Sequence, residues 1–285
     1  MNPYIELARS EHGLIAGVAA ISSYLFSGGR EPLVAVMLFV STFMAEVFLF
    51  VTNDLLNIAE DTVNRPQAPL ITGRAGRRGA SIMAVASMAA SMISMIWLYA
   101  ARLINVMPLL VLFAAIMLGF YYNWRGKRIL IINNLIVSVV TPLTYIYGLS
   151  CVSAASDHAI LVVLLLFFTS MIATLGRESI KGAIDVAGDS RVGVNTVATR
   201  KGKEAAVRLG MGATAAAVLI SIPLMALSIR FAVFAASIAI TDAIMIYCML
   251  LLRRGDLEGY RRNSLVGMSI TLLGFFINAL MRIPL

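Results

Sequence analysis

Residues 109–120 read LLVLFAAIMLGF, a run of twelve residues without one charged or strongly polar side chain. The run does not alternate apolar and polar residues, as a membrane β-strand does. Runs like it recur, so that 60% of the chain is hydrophobic, 13% is charged and the mean hydropathy is +0.88. A soluble domain carries about a quarter charged residues. The sequence therefore predicts an all-α membrane protein, since lipid offers the backbone no hydrogen-bond partners.

Nine apolar segments are long enough to be candidate membrane spans in a polytopic helical bundle. The first is short and the seventh contains Pro223, but both are expected to be helical because transmembrane helices tolerate proline and glycine. We expect residues 1–285 to form a single domain. The predicted spans are 13–27, 33–51, 79–100, 103–122, 129–150, 159–176, 206–228, 231–252 and 264–282.

The distribution of basic residues predicts the orientation of the bundle. With a cytoplasmic N-terminus, 19 of the 23 lysines and arginines fall on the inside, and only Arg30, Arg102, Arg230 and Arg282 fall outside. This asymmetry follows the positive-inside rule. We therefore expect a multi-pass protein of the cell membrane whose net charge of +8 faces the cytoplasm. That charge suits anionic lipid head groups or an anionic substrate, and gives no reason to expect nucleic acid.

Two polar stretches interrupt the apolar sequence. One is TNDLLNIAEDTVNRPQAPLITGRAGRRG at 52–79, and the other is GRESIKGAIDVAGDSRVGVNTVATRKGKE at 176–204. Each follows an even-numbered span, and GRAGRRGA (73–80) resembles TRKGKEAA (199–206) at an offset of 126. Two four-helix halves plus one further helix would explain this internal similarity.

The acidic and amide residues in these stretches have helical spacing. Asp54, Asn57 and Asp61 stand at i, i+3 and i+7, and Asp185 and Asp189 at i, i+4, so each set lies on one face of a continuous helix. Carboxylates are unfavourable at helix C-termini unless a positive group lies between them. Solvated surface ion pairs are one interpretation. The other is a hard cation, since Mg²⁺ binds one or two carboxylates together with substrate phosphates.

The first stretch resembles a motif of the UbiA superfamily of intramembrane prenyltransferases, N-D-x-x-D-x-x-x-D-x-x-N-R-P. Asn57 stands at the middle aspartate of that motif, where an amide oxygen can still bind Mg²⁺, and Ala68 stands where a second arginine is common. The matching residues are Asn53, Asp54, Asp61, Asn64, Arg65 and Pro66.

The second stretch resembles the other motif of the superfamily, R-E-x-x-K-D-x-E-D-x-x-G-D-x-x-x-G-x-x-T. Gly182 and Ile184 replace acids of that motif. The intervening segment YYNWRGKRILIINNLIVS (121–138) is similar to the loop after the family's fourth helix. The likeness is greatest to the archaeal members that make digeranylgeranylglyceryl phosphate. The matches are Arg177, Glu178, Lys181, Asp185, Gly188, Asp189, Gly193 and Thr196.

The resemblance implies Mg²⁺-dependent transfer of a polyprenyl group from its diphosphate to a membrane acceptor. It implies one Mg²⁺ at Asp54 and Asp61, assisted by Asn57, and a second at Asp185 and Asp189; the four aspartates are the expected catalytic residues. The substrate contacts that we expect are Asn53, Asn64, Arg65, Tyr121, Tyr122, Lys127, Arg128, Arg177 and Lys181. For the two tyrosines, a place in the interfacial aromatic belt is an equally good interpretation.

Three functions remain open on the sequence. The first is transfer of a geranylgeranyl group to geranylgeranylglyceryl phosphate in archaeal ether-lipid synthesis. The second is prenylation of an aromatic acceptor such as 4-hydroxybenzoate in quinone synthesis. A transporter is less consistent with the sequence, because its charges would lie near the membrane midplane and here they concentrate at one face.

Four further residues lie within apolar segments. Glu46 and Asp242 are ionisable groups at membrane depth, which are functional candidates by default. Each is expected either to act in catalysis, with Glu46 as a base, or to bond a neighbouring helix. Cys151 and Cys248 are expected to be packing residues, because two thiols alone make neither a disulfide framework nor a zinc site.

Overall fold

The computed structural model describes residues 2–130, 132–191 and 193–281, without the side chains of residues 64, 128, 187 and 191. All regular secondary structure in these residues is helical, which confirms the predicted all-α class. The first half contains α1 (Pro3–Ala8), α2 (Ser10–Phe26), α3 (Pro32–Leu56), α4 (Ile58–Asn64), α5 (Arg77–Ala100), α6 (Met107–Trp124), a short 3₁₀ helix (Gly126–Arg128), α7 (Ile132–Val140) and α8 (Leu143–Ser150). The second half contains α9 (Asp157–Ile184), α10 (Val186–Arg191), α11 (Val197–Lys201), α12 (Lys203–Leu227), α13 (Ala232–Arg253) and α14 (Leu257–Met281).

Eight helical segments within the described ranges are long and apolar enough to cross a membrane. The ninth predicted span, residues 13–27, corresponds to α2, whose 17 residues make it the shortest of the set. The predicted span 129–150 corresponds to α7 and α8 together, which are separated at Thr141 and Pro142. Pro142 lacks a backbone N–H, so the hydrogen-bond ladder is interrupted there. The count of nine spans is therefore approximate, while the multi-pass architecture is clear.

The outer surface of the bundle is apolar. Val85, Ile93, Leu219 and Ile229 are between 64% and 74% exposed, although a water-soluble surface would leave such side chains exposed only singly. They lie on α5, on α12 and just after α12, within or beside long hydrophobic helices. In lipid this exposure costs nothing, because acyl chains are as apolar as the side chains. The chain is an integral multi-pass membrane protein.

Small residues bring the helices together in the interior. A Cβ atom on Gly148 in α8 would collide with the carbonyl oxygen of Ala20 in α2, and one on Gly176 in α9 would lie 3.1 Å from the carbonyl oxygen of Gly210 in α12. Close backbone approach of this kind is the main way in which helices associate in lipid, where no hydrophobic driving force acts between them. Helix α9, which carries the second polar stretch, is thereby held against α12.

The two halves of the chain repeat the same helix order. Corresponding helices begin 125 or 126 positions apart, which agrees with the offset of 126 found in the sequence. The pairs of helix starts are Pro32 and Asp157 for α3 and α9, Arg77 and Lys203 for α5 and α12, and Met107 and Ala232 for α6 and α13. The arrangement supports two related halves, each with one polar stretch after its long central helix.

Candidate active site

The two polar stretches share one local geometry, and it differs from the predicted continuous helix. Helix α3 ends at Leu56 and α4 begins at Ile58, so Asn57 lies at a break; Asp185 lies at the equivalent break between α9 and α10. The N–H groups of Asp61 and Asp189 still donate to the carbonyl oxygens of Asn57 and Asp185, both over 2.9 Å. The expected continuous helix is therefore interrupted in both stretches, at Asn57, the middle ligand of the first set, and at Asp185, the first of the second set.

Asp54 is the most buried acid of the site. Its side chain is 2% exposed, and its Oδ1 accepts hydrogen bonds from Arg9 Nη2 over 2.6 Å and from Arg65 Nη1 over 3.2 Å. Charge-assisted bonds of this length are strong. The other oxygen, Oδ2, is buried without a hydrogen-bond partner in the described structure. A buried carboxylate oxygen with no donor is an open ligand position.

Asp61 joins Asp54 through a shared arginine rather than through the helix face. Arg65 Nη1 lies 3.9 Å from Asp61 Oδ2 and 3.2 Å from Asp54 Oδ1. Burial, followed by the negative charge of Asp54, raises the pKa of Asp61 above its usual value. Asn57 Nδ2 donates to the backbone oxygen of Asn53 over 2.6 Å, so its amide oxygen is the free end of the side chain. The first motif therefore places two carboxylates and an amide oxygen together.

The second motif is arranged around Asp185 and Asp189. Burial raises the pKa of Asp189 to about 6, and the negative charges of Asp185 and Glu60 add to the effect. Since Glu60 belongs to α4, the two motifs lie within electrostatic range of each other. On the preceding turn of α9, Lys181 Nζ lies 3.0 Å from Glu178 and Arg177 Nη1 lies 3.6 Å from the same carboxylate. Cations therefore flank the acids on this side too.

Lys127 lies between the two motifs. Its Nζ is 3.7 Å from Glu60 Oε2 and 5.7 Å from the centre of the Tyr122 ring, and its positive charge also acts on Asp189. Burial lowers the pKa of Lys127, because a charged ammonium is desolvated there. Tyr121 is the residue before Tyr122 in α6, so its side chain leaves the helix in a different direction, and it is 37% exposed. Of the two predicted tyrosines, only Tyr122 contacts the site.

Two predicted substrate residues lie outside what the structure describes. These are the side chains of Asn64 and Arg128. The remaining predicted residues fall into two neighbouring groups, joined by Lys127 and Glu60. The first group holds Asn53, Asp54, Asn57, Asp61 and Arg65, and the second holds Arg177, Lys181, Asp185 and Asp189.

The donor set fits Mg²⁺. Among the described residues, no three acidic, histidine or cysteine side chains converge closely enough to form a metal cage of their own. Mg²⁺ does not require such a cage, because it uses one or two carboxylates and completes its shell with water and phosphate oxygens. The unpartnered Oδ2 of Asp54 and the nearby oxygens of Asn57 and Asp61 provide such a partial set.

Arg9 and Glu60 are site residues that the sequence analysis missed. Arg9 lies 45 positions before Asp54, between α1 and α2, and adopts a left-handed conformation with φ of 44°. Nothing in its local sequence, LARSE, indicates a partner so distant along the chain. Glu60 stands inside the first motif at a position of no fixed identity. Only a three-dimensional arrangement identifies either residue.

The deep acids differ in their surroundings. Asp242 Oδ2 accepts a hydrogen bond from Ser221 Oγ over 2.7 Å, which links α13 to α12 and favours the helix-bonding interpretation. Glu46 makes no such bond within the described part of the chain and is partly buried. Cys151 and Cys248 are buried and free, in agreement with packing roles.

Comparison with known proteins agrees with this architecture. The pattern of the UbiA prenyltransferase family matches residues 14–278. The digeranylgeranylglyceryl phosphate synthase of Methanopyrus kandleri is 30% identical over 224 residues, which cover 78% of this chain and 79% of that protein. The synthase of the same name from Methanothermobacter thermautotrophicus is 26% identical over 282 residues, covering 96% and 95%.

Solved structures share the fold. A UbiA homologue from Archaeoglobus fulgidus bound to DMAPP and Mg²⁺ superposes with a TM-score of 0.78 at 18% identity, covering 98% of both chains. A UbiA homologue from Aeropyrum pernix gives the same TM-score at 20% identity, covering 94% of this chain and 98% of the other. With motifs, helix order and the family pattern all in agreement, this chain is a prenyltransferase and belongs to the UbiA prenyltransferase family.

Proposed function

We propose that this prenyltransferase moves a geranylgeranyl group from its diphosphate to the free hydroxyl of geranylgeranylglyceryl phosphate. The observation that carries the proposal is the 30% identity, over more than three quarters of both chains, to a digeranylgeranylglyceryl phosphate synthase. Both motifs stand at helix breaks on neighbouring elements, which supports a shared diphosphate site. In this proposal residues 1–285 work as one domain.

We further propose that Mg²⁺ is the cofactor, held by Asp54, Asn57 and Asp61 at one position and by Asp185 and Asp189 at a second. The bound Mg²⁺ of the Archaeoglobus homologue and the unpartnered Oδ2 of Asp54 support this assignment. When bound, Mg²⁺ offsets the negative charge that develops on a departing diphosphate. Asn53 is placed to orient the amide of Asn57, to which it is bonded.

The cationic side chains then bind the donor. Arg65, Lys127 and Lys181 are our candidates for the diphosphate oxygens, and each already lies beside a carboxylate of the site. As the bond between the allylic carbon and the diphosphate oxygen breaks, its electron pair leaves with the diphosphate. The oxygen of the acceptor hydroxyl forms a bond to the resulting allylic cation, and its proton passes to the released diphosphate. The ring of Tyr122 is our candidate for facing that cation.

The membrane setting has a chemical purpose in this proposal. The isoprenoid chain lies between helices while the diphosphate stays at the polar end of α3 and α9. Water is thereby kept from the allylic cation, which would otherwise form an alcohol. We propose that this end faces the cytoplasm, as does the N-terminus, because 19 of the 23 basic residues follow that orientation.

The experiment that tests the function is an acceptor comparison. Purified protein with Mg²⁺ and geranylgeranyl diphosphate is supplied with geranylgeranylglyceryl phosphate or with 4-hydroxybenzoate, and both pyrophosphate and prenylated product are measured. We expect rapid product formation only with the glycerol lipid, and loss of turnover on chelation of Mg²⁺. Product from 4-hydroxybenzoate alone would establish the aromatic alternative, and absence of pyrophosphate with either acceptor would contradict the reaction class.

A further inference from the structure

We propose that a cavity between α9 and the start of α14 binds the phosphate of the lipid acceptor, apart from the diphosphate site. This inference rests on the proposed function, since it assigns a binding site for the acceptor named there. The cavity has a volume of about 560 Å³, and three arginines, Arg177, Arg261 and Arg262, lie in its wall. Its size falls within the range of ordinary small-molecule sites.

Close packing fixes the two walls of this cavity relative to each other. Gly176 in α9 lies beside the hydroxyl of Tyr260 in α14. A Cβ atom added to Gly176 would be only 3.2 Å from that hydroxyl oxygen. That hydroxyl is also hydrogen-bonded to Thr214 of α12 over 2.6 Å, and Tyr260 is 1% exposed. The residues on either side of this contact, Arg177 and Arg261, are therefore held at a constant separation.

The charges in the cavity favour an anion. Three arginines and two acids line it, which leaves a net charge of +1: Glu258 pairs with Arg261 over 2.9 Å, whereas Asp256 keeps its negative charge and accepts the backbone N–H of Gly259 at Oδ1 over 2.7 Å. Arg262 has no ion pair in the described structure. One exposed guanidinium therefore remains free to bind an oxyanion, and guanidinium groups match phosphate with two parallel hydrogen bonds.

Arg177 adds a second open donor. Its Nε is buried and has no hydrogen-bond partner in the described residues, and the carboxylate with which Arg177 forms an ion pair there, Glu178, is 3.6 Å away and shared with Lys181. A buried donor left without an acceptor is unfavourable. The rest of the Arg177 side chain is 22% exposed and lines the cavity, where its guanidinium can donate to a phosphate oxygen. The same ligand would therefore engage one arginine from each wall.

The position of the cavity suits the acceptor rather than the donor. Arg177 precedes Lys181 by one turn of α9, which is roughly 6 Å along the helix axis. In geranylgeranylglyceryl phosphate the reacting hydroxyl is on the carbon next to the one that carries the phosphate. A phosphate at Arg177 would thus leave the hydroxyl close to a diphosphate bound at Lys181. Leu265 lines the cavity and is 48% exposed, so the first part of the lipid chain can pack against its apolar side chain.

Arg262→Ala is the variant that tests the site, because this exposed arginine has no described partner and its removal should not affect folding. We expect the KM for geranylgeranylglyceryl phosphate to rise about tenfold or more, the usual effect of losing one charge-assisted contact. The kcat and the KM for geranylgeranyl diphosphate should stay within twofold of wild type. Arg254→Ala, a matched exposed arginine outside the cavity, should change none of these values.

Equilibrium binding in the absence of donor supplies a readout apart from turnover. Wild-type protein should bind geranylgeranylglyceryl phosphate more tightly than geranylgeranylglycerol, and Arg262→Ala should remove most of that difference. An unchanged KM and unchanged binding in Arg262→Ala, with wild type active on this acceptor, would overturn the inference and leave the proposed function standing. A wild-type enzyme that prenylates only 4-hydroxybenzoate would instead overturn the proposed function, and this assignment with it.

Bilayer lipids could present a similar phosphate, and the assay medium separates the two sources. In detergent micelles without other phospholipid, an effect of Arg262→Ala on KM belongs to the acceptor. If the variant matches wild type in micelles and loses activity only in vesicles with anionic lipid, the arginine contacts bilayer head groups. That outcome would overturn the assignment to the acceptor.

Discussion

Asp54 receives two arginines from very different positions in the chain. Arg9 comes from the connection between α1 and α2, and Arg65 from the turn after α4, 11 positions beyond Asp54. Both contact the same oxygen, which leaves the other oxygen buried and open. One carboxylate therefore has two functions in our interpretation: it holds the N-terminal segment on α3, and it offers an oxygen to a cation.

Because Asp54 has this structural function, Asp61→Asn is the cleaner test of metal binding. Asp61 has only one long contact, 3.9 Å from Arg65, and the amide has the same shape, so folding should be unaffected. We expect turnover to fall on the order of 100-fold, because a ligand charge is lost from the ion that offsets the leaving diphosphate. Glu204→Gln, whose side chain is 93% exposed, is the control and should keep full activity. Near-normal turnover in Asp61→Asn would contradict the assignment.

Arg9→Ala should reduce stability. It removes a 2.6 Å bond to a carboxylate that is 2% exposed, while Arg65 remains at 3.2 Å as partial compensation. Breaking a buried pair costs about 3–5 kcal/mol, and with a second arginine present we expect about 1–3 kcal/mol. Thermal unfolding in detergent measures the loss.

The matched control for Arg9 is Arg208→Ala. Arg208 is 75% exposed and lies 3.7 Å from an exposed Glu204, so its removal should change the free energy of unfolding by less than about 0.5 kcal/mol. Equal effects of the two substitutions would mean that the bond between Arg9 and Asp54 contributes nothing to the fold.

At the scale of helices, the same broken-helix arrangement occurs in both halves of the chain. A long apolar helix reaches the polar end of the bundle, breaks at a ligand residue and continues as a short helix, in α3–α4 and again in α9–α10. Around the first break, Arg65 lies between the two acids, 3.2 Å from Asp54 and 3.9 Å from Asp61. Around the second, the positive charges of Lys127 and Lys181 act on Asp189. The two breaks thus lie at corresponding positions of the two halves, each beside acids and cations of the candidate site.

Helices α5 and α12 follow the two polar stretches, and each has a glycine at its N-cap, Gly76 and Gly202. The two glycines differ in backbone conformation. Gly202 has φ of 88° and ψ of 158°, a region that only glycine occupies without strain, whereas Gly76 has φ of −80° and ψ of 141°. Gly202→Ala should therefore cost about 1–3 kcal/mol of stability. Gly76→Ala should change it by less than about 0.5 kcal/mol.

The space around the two glycines is equally open, since a Cβ added to either would have no neighbouring atom within 4 Å. Any difference in thermal unfolding between the two variants must then come from the backbone. A similar loss in both, or none in either, would contradict the conformations that the structure assigns.

On the scale of the whole molecule, lipid exposure and charge distribution are arranged together. The flanks of the bundle carry exposed side chains such as Val85 and Leu219, while the polar stretches and their basic residues share one end. An apolar chain can be held between such helices with its diphosphate at the charged end. This arrangement suits a reaction between two membrane lipids.

Cysteine labelling tests the orientation of the bundle. We expect Lys203→Cys to react with a membrane-impermeant maleimide only after the cells are permeabilised, and Arg230→Cys to react in intact cells. Both positions are exposed, and the native Cys151 and Cys248 are buried and should give little background. The reverse pattern would contradict the orientation that the basic residues predict.

The sequence by itself determined the class of the protein and predicted most of the candidate site residues that the structure brings near one another. Runs such as 109–120 leave no alternative to membrane helices, because lipid forces every backbone group to bond within its own helix. The two motifs contain their candidate ligands within 14 and 20 residues, so the metal-site hypothesis can be formed without coordinates.

Only the tertiary structure showed the features that depend on contacts between segments distant in the chain. Arg9 reaches Asp54 across 45 positions, and the cavity at Arg177 lies where Tyr260 of α14 packs beside Gly176 of α9. The breaks at Asn57 and Asp185 were also invisible, since a helical spacing of side chains does not report the dihedral angles between them. Hydropathy and motif spacing act along the chain, whereas these features arise where separate helices meet.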